Sequence, residues 1–253
     1  MNEIVTTVTA LEGDPMKQFS HLFLLALLFL TVTPAQAGTG ASLKEVVATL
    51  EQGYSALKDV QADFSQLSAI ASMKREERGA GELFIKRPAG GNAMFLFNYS
   101  KPRQQIVSNG KKLWYYIPEN RQVMVGDLTA LLEAGNGVTL NYLTGMGNVS
   151  RDFTVSFAGD GQDKNGNYML ELVPRKESQA LAKLRLTVSG RSVEKFRATG
   201  KASDPFPIVL SVVYDQLGNK TTMEFSRVRV NRGMRNDLFT FKVPSGVEVV
   251  SSP

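Results

Sequence analysis

The 253 residues contain no cysteine and one histidine, His21. Without cysteine there is no disulfide, no thiolate nucleophile, no thiolate ligand for zinc and no residue to carry an N-terminal lipid. His21 lies within the first 37 residues, so a chain cut after Ala37 would hold no imidazole at all. That removes the usual general base, the Ser-His and Cys-His nucleophiles and histidine metal sites. Phosphate-cradling loops are missing too. Gly110-Lys111 has Gln105 where a P-loop needs its first glycine, and no G-x-G-x-x-G follows a strand. The acidic stretch Asp160–Asn167 (DGQDKNGN) lacks the spacing and closing glutamate of a calcium loop and reads as a hairpin turn. Glu76 and Glu77 are neighbours on a strand, face opposite sides and cannot work as a catalytic pair. No catalytic residue, metal ligand or cofactor is therefore assigned, and the chain is not expected to be an enzyme.

What is present starts with an export signal. Lys17 precedes the apolar run Leu22–Leu30, and Pro34 precedes Ala35-Gln36-Ala37, a small-x-small cleavage pattern. The run is shorter than the roughly 20 residues that span a bilayer. Glu3, Glu12 and Asp14 make the lead before it acidic, so translation is expected to begin at Met16. Residues 1–37 are assigned to a cleaved signal peptide and residues 38–253 to one periplasmic domain, expected to be a monomer. Of 29 Lys and Arg against 24 Asp and Glu, removal of the leader leaves 28 against 21. The surplus is spread over many strands, so nucleic acid is not an expected partner. A mild attraction to anionic membrane surfaces or acidic partners is.

The domain opens with a helix. Ser42 and Glu45 form a capping box, and Leu43, Val46, Val47, Leu50, Tyr54 and Leu57 recur at helical spacing. After Asp59 the period becomes two. Val60, Ala62 and Phe64 share a face; so do Leu83, Ile85 and Arg87, and then Phe95, Phe97 and Tyr99. Glu82 and Lys86 flank Phe84 on what reads as the wet face. Further strands are expected at 105–107, 113–117, 121–125, 153–157, 168–173, 184–188, 193–198, 208–214, 222–230 and 238–243, with Asn109-Gly110, Asn165-Gly166 and Gly218-Asn219 as turns. The fold class is mainly β: a large antiparallel sheet that must curl or split.

One stretch breaks the strand rhythm. Asp127–Glu133 carries Leu128, Leu131 and Leu132 at helical spacing, with Asp127 placed to cap it. Thr139–Gly145 carries Leu140 and Leu143, and Gly145-Met146-Gly147 ends it. Two apolar helices this short need a surface to lie on. They form either a fixed plug at one barrel end or a lid hinged on Gly135-Asn136-Gly137.

Arg87 sits on the apolar side of its strand and cannot shed its charge, so its five donors need acceptors. It can reach water by its own length, or bond to carbonyls at the end of a short helix, or meet Glu133.

The stretches Gly79–Pro88 (GAGELFIKRP), Phe95–Pro102 (FLFNYSKP) and Ile106–Pro118 (IVSNGKKLWYYIP) resemble the outer-membrane lipoprotein carrier family, LolA. So do Phe64-Ser65-Gln66 and the ending Phe239–Val249 (FTFKVPSGVEV). The resemblance runs in order along nearly the whole domain; Ala89–Met94 is longer than the family pattern. It implies an unclosed barrel with an N-terminal helix and a short helical lid over an apolar cavity. It implies that Arg87 latches the lid through backbone carbonyls, that Leu83, Ile85, Phe95 and Phe97 line the cavity, and that Leu128, Leu131, Leu132, Leu140, Leu143 and Met146 belong to the lid. Implied partners are acylated lipoproteins, an inner-membrane lipoprotein-releasing ABC transporter, and an outer-membrane receptor or that membrane itself. A periplasmic shuttle or sensor for free lipids is the alternative.

Overall fold

Alternating side chains do produce strands, and more of them than helices. The structure, a computed structural model, describes residues 40–131, 148–177 and 181–251. Strands β1 (Asp59–Ile70), β2 (Arg75–Lys86), β3 (Met94–Lys101), β4 (Arg103–Ser108), β5 (Lys112–Ile117) and β6 (Gln122–Asp127) form one meander. Strands β7 (Phe153–Gln162), β8 (Tyr168–Pro174), β9 (Lys183–Val188), β10 (Ile208–Tyr214) and β11 (Lys220–Val230) form a second, and β12 (Glu248–Ser251) ends the chain. All twelve share one sheet, ordered β12-β6-β5-β4-β3-β2-β1-β11-β10-β9-β8-β7. The antiparallel pairing of β1 with β11 (Phe64 opposite Phe225) joins the two meanders. Only β12 runs parallel, beside β6. Strands β7 and β12 are the two edges, so the sheet curls without closing. The expected fold class holds.

Among the described residues the helices are few: α1 (Leu43–Ala56), α2 (Leu128–Leu131), α3 (Val149–Asp152) and α4 (Gly190–Thr199). None is long and apolar enough to cross a membrane. The capping box opens α1 as expected: the Ser42 N–H and hydroxyl donate to the Glu45 carboxylate at 2.7 and 2.8 Å, and the Glu45 N–H donates to Ser42 Oγ at 3.3 Å. Its apolar stripe is buried through Val46, Val47, Leu50 and Tyr54, in one core cluster with Leu83, Ile85 and Phe225 of the sheet. Gly53 is where α1 comes closest to the segment entering β10. A Cβ there would lie 2.5 Å from the carbonyl oxygen of Asp204. Gly53→Ala is expected to cost about 1–3 kcal/mol by forcing two backbones apart; thermal denaturation of the variant checks this.

Two expected strands are not strands. Residues 193–198 lie inside α4. Ser189 caps it by accepting the Ser192 N–H, and Gly200, at φ 67°, closes it by donating to the Phe196 carbonyl. Residues 238–243 do not join the sheet either. Asn236–Phe239 make a 3-10 turn, and the chain then crosses the outer sheet face. There Phe239 is fully buried against Met94, Leu96 and Val107, with Phe84, Trp114, Met234 and Phe241 packed around them. The face of Phe84, read as wet, is thus covered by the chain's own C-terminal segment. Asp59 anchors that cover: its carboxylate accepts the N–H groups of Arg232, Gly233 and Met234 at 2.8, 3.0 and 3.3 Å.

Candidate functional site

The four side chains expected to line a cavity come together on the inner face of β2 and β3. Leu83 and Ile85 are fully buried, Phe95 is 2% exposed and Phe97 7%. Register explains the grouping, because Ile85 pairs with Phe95 and Leu83 with Phe97 across the β2–β3 ladder. Side chains two apart on each strand then point the same way. Phe95 and Phe97 meet nearly edge to face, with ring centroids 6.0 Å apart.

The aromatic wall extends beyond those four. Phe64 of β1 packs edge to face on Phe97 at 5.9 Å and on Tyr99 at 4.8 Å. Such pairs add about 0.5–1.5 kcal/mol beyond area burial. Sequence reasoning saw Phe64 and Tyr99 as strand residues but did not place them in the site. The shared face of Phe95, Phe97 and Tyr99 was the available signal for Tyr99; Phe64 needed the β1–β2 register. Tyr99 also marks where the apolar wall ends. Its hydroxyl donates to Gln66 Oε1 at 2.8 Å, and Tyr115 donates likewise to Gln104 at 2.8 Å. Burial, and then the neighbouring Tyr115, push the Tyr99 phenol up to about 12, so it stays neutral and presents no charge to the wall.

Of the segment expected to form a lid, only the beginning lies among the described residues. Asp127 caps α2 as expected, its carboxylate accepting the N–H groups of Thr129 and Ala130 at 2.7 and 3.2 Å. Leu128 is 1% exposed and belongs to the same core cluster as Leu83, Ile85, Phe95 and Phe97. Leu132, Leu140, Leu143 and Met146 fall outside the described residues, as does the side chain of Leu131.

Arg87 follows the last residue of β2, half-buried. Its Nη1 donates to the carbonyls of Tyr54 at 2.5 Å and Leu57 at 3.3 Å. These carbonyls terminate α1, which has no basic residue in its own last turn. The Tyr54 carbonyl also accepts the capping Leu57 N–H at 3.1 Å, and the guanidinium adds a cation where the helix end carries partial negative charge. Among the described residues the acceptors are carbonyls at the end of the 14-residue α1 rather than of a short helix, and most of the segment expected to be latched lies outside the described residues.

Chemically, the arrangement offers an extended apolar and aromatic surface with neutral hydroxyl and amide groups at its margin. Among the described residues no cluster of acidic or histidine side chains could hold a metal ion. A helix seated against the inner face of an unclosed barrel with such a wall defines a half-barrel with an apolar, aromatic interior. Residues 55–242 match the family model described as outer membrane lipoprotein carrier protein LolA. The chain is similar to the outer-membrane lipoprotein carrier protein of Pseudomonas paraeruginosa, 28% identical over 238 residues, covering 93% of this chain and 99% of the relative. It is 25% identical to that of Methylobacillus flagellatus over 205 residues, covering 81% and 88%. The crystal structure of a LolA superfamily protein from Nitrosomonas europaea superposes with a TM-score of 0.38 at 15% identity, covering 80% of this chain and 99% of that one. The chain belongs to the outer membrane lipoprotein carrier family, LolA.

Proposed function

We propose that this protein is a periplasmic carrier that shelters the acyl chains of lipoproteins between the inner and the outer membrane, and that it catalyses no reaction. The buried wall of Leu83, Ile85, Phe95, Phe97 and Phe64 carries this reading. An acyl chain crossing water exposes about 0.8 kcal/mol per methylene, on the order of 10 kcal/mol for a long chain. A wall of rings and branched aliphatics can take that surface over. The same side chains pack against one another when no cargo is present. Entry of a chain therefore requires α1 or the segment after Leu128 to move aside, and release is driven by its return. Nothing along the chain reads as a nucleotide site, so loading draws energy from a partner, an inner-membrane ABC transporter. Delivery is to an outer-membrane receptor or to that membrane.

Recovery of the protein from the periplasm tests this. Intact mass spectrometry is expected to show a chain beginning at Gly38, with residues 1–37 removed. Native spectra of the same sample are expected to show bound acylated protein. A chain retaining residues 1–37 in the membrane fraction would sink the export assignment. Free fatty acid or phospholipid as the sole bound species would replace lipoproteins by free lipids as cargo.

A further inference from the structure

Two large apolar side chains stand out from this surface. Leu217 is 81% exposed and Met73 is 68% exposed. They occupy different turns, Met73 between β1 and β2 and Leu217 between β10 and β11. The turns touch: the Ala71 N–H donates to Asn219 Oδ1 at 2.9 Å, and a Cβ on Gly218 would sit 3.6 Å from the Ala71 methyl. The two side chains thus crown one edge of the molecule, at the far end of β1 from α1.

The turns themselves do not need them. In Asp215–Asn219 the Asp215 carboxylate accepts the N–H groups of Leu217 at 2.9 Å and Asn219 at 2.8 Å, and the Asn219 amide donates back to it at 2.7 Å. The turn between β7 and β8 repeats this scheme residue for residue. Asp163 accepts the N–H groups of Asn165 and Asn167 at 2.8 and 2.9 Å, and the Asn167 amide donates back at 3.0 Å. There the position equivalent to Leu217 holds Asn165. The same geometry is therefore built elsewhere in this chain with a polar residue at the exposed point. A single exposed apolar residue needs no explanation, but two on abutting tips, one in a place the fold fills with asparagine, form a patch. Exposed Lys74 follows Met73, ahead of exposed Glu76 and of Arg75, which pairs with Glu77 at 2.8 Å, and exposed Lys220 begins β11 two residues after the turn glycine. The whole chain carries a net charge of +5.

We propose that these two tips are a membrane-touching edge, with Met73 and Leu217 entering the interfacial layer of an anionic bilayer while Lys74 and Lys220 meet headgroup phosphates. Apolar tips flanked by lysines suit that boundary, where apolar groups gain burial and cations gain the surface potential. Two side chains supply reversible contact rather than anchoring. The proposal is independent of what the inner wall binds.

Flotation of the mature protein with vesicles of equal parts phosphatidylcholine and phosphatidylglycerol tests it. The parent protein is expected to float with them, and to lose binding when phosphatidylglycerol is omitted or salt is raised. Met73→Ser with Leu217→Asn, both exposed and the second copied from the sister turn, should lower vesicle affinity roughly tenfold or more, from the transfer free energy of large apolar side chains. Binding of a fluorescent fatty acid, measured on the same samples, should not change. The proposal is overturned if the parent ignores anionic vesicles, or if the double variant floats as the parent does. A variant that still floats but no longer hands cargo to a purified acceptor protein would assign the edge to a protein partner instead. Failure of the fatty acid to bind parent and variant alike would sink the carrier reading and leave this one standing.

Discussion

Phe95→Ala is expected to lose about 3–5 kcal/mol of stability and to recover part of it when a long-chain fatty acid is added. The loss follows from burial: the ring is 2% exposed, packs on Phe97 and sits opposite Ile85 in the ladder. Truncation removes the transfer free energy of the ring and leaves a hole that the sheet cannot close. The recovery is the diagnostic part. If the inner wall accepts acyl chains, a hole in that wall is a better acyl site, and the ligand restores contacts the ring had made. Phe239→Ala is the control. That ring is equally buried and should lose as much, but it lies on the outer face in a separate cluster with Met94, Leu96 and Val107. An acyl chain on the inner face cannot fill its hole. Melting curves of parent, Phe95→Ala and Phe239→Ala with and without palmitate decide the matter. Equal shifts in the two variants would mean that the inner wall is only a core.

The parts of this fold that were legible in sequence are those set by local rules. The capping box at Ser42 and Glu45 fixed the start of α1, and the period-two alternation from Val60 to Phe64 and through Leu184, Leu186 and Val188 marked strands that burial confirms. Residues 193–198 were misassigned although they do not alternate: their apolar Val193 and Phe196 stand three apart, a helical spacing, in a stretch too short to settle the period alone. The caps, Ser189 and Gly200, were the better evidence. Phe239 and Phe241 also alternate, yet they pack onto a sheet face rather than pair in the sheet, and side-chain pattern cannot tell these apart. The continuous apolar run Met94-Phe95-Leu96-Phe97 did carry the missing information. All four are buried, which happens only where both faces of a strand are covered. Strand β12 is four residues at an edge, held by parallel pairing to β6 and by no pattern of its own.

In the candidate site, the inner-face positions followed from alternation, whereas the partners of each followed from register. Leu83 opposite Phe97 and Phe64 against Tyr99 depend on how three strands align, and alignment is set by turns and a bulge rather than by the strand residues. The β2–β3 bulge falls between Ala80 and Gly81, and a Cβ on Gly81 would lie 2.2 Å from the Asn98 carbonyl oxygen. The glycine of the Gly-Glu-Leu-Phe-Ile-Lys-Arg-Pro stretch thus lets β3 come close enough to set the register that brings the rings together. Its place in the family pattern has that physical reason.

Arg87→Leu is expected to leave cargo bound longer and to slow its transfer to an acceptor by roughly ten- to a hundredfold. The guanidinium donates to two carbonyls at the end of α1, and charge-assisted bonds of this kind are worth about 1.5–3 kcal/mol. They stabilise only the state in which α1 lies where it does now, packed over Leu83 and Ile85 in the closed core. If an acyl chain displaces α1, or a lid held through the same arginine, those bonds must break. The empty, closed state then competes with the loaded one, and the competition sets how readily cargo leaves. Leucine makes no such bonds and adds apolar surface, so both changes favour the loaded state. The cost appears in the empty protein. It loses its only described side-chain cation on the Tyr54 and Leu57 carbonyls and should melt earlier, whereas the loaded protein should melt at nearly the parent temperature. Arg87→Lys should fall between, because one ammonium reaches fewer acceptors than a planar fork. The measurements are melting of empty and loaded protein, and transfer of a labelled lipoprotein to outer-membrane acceptor. A variant that melts early in both states and releases cargo at the parent rate would make Arg87 a cap for α1 and nothing more.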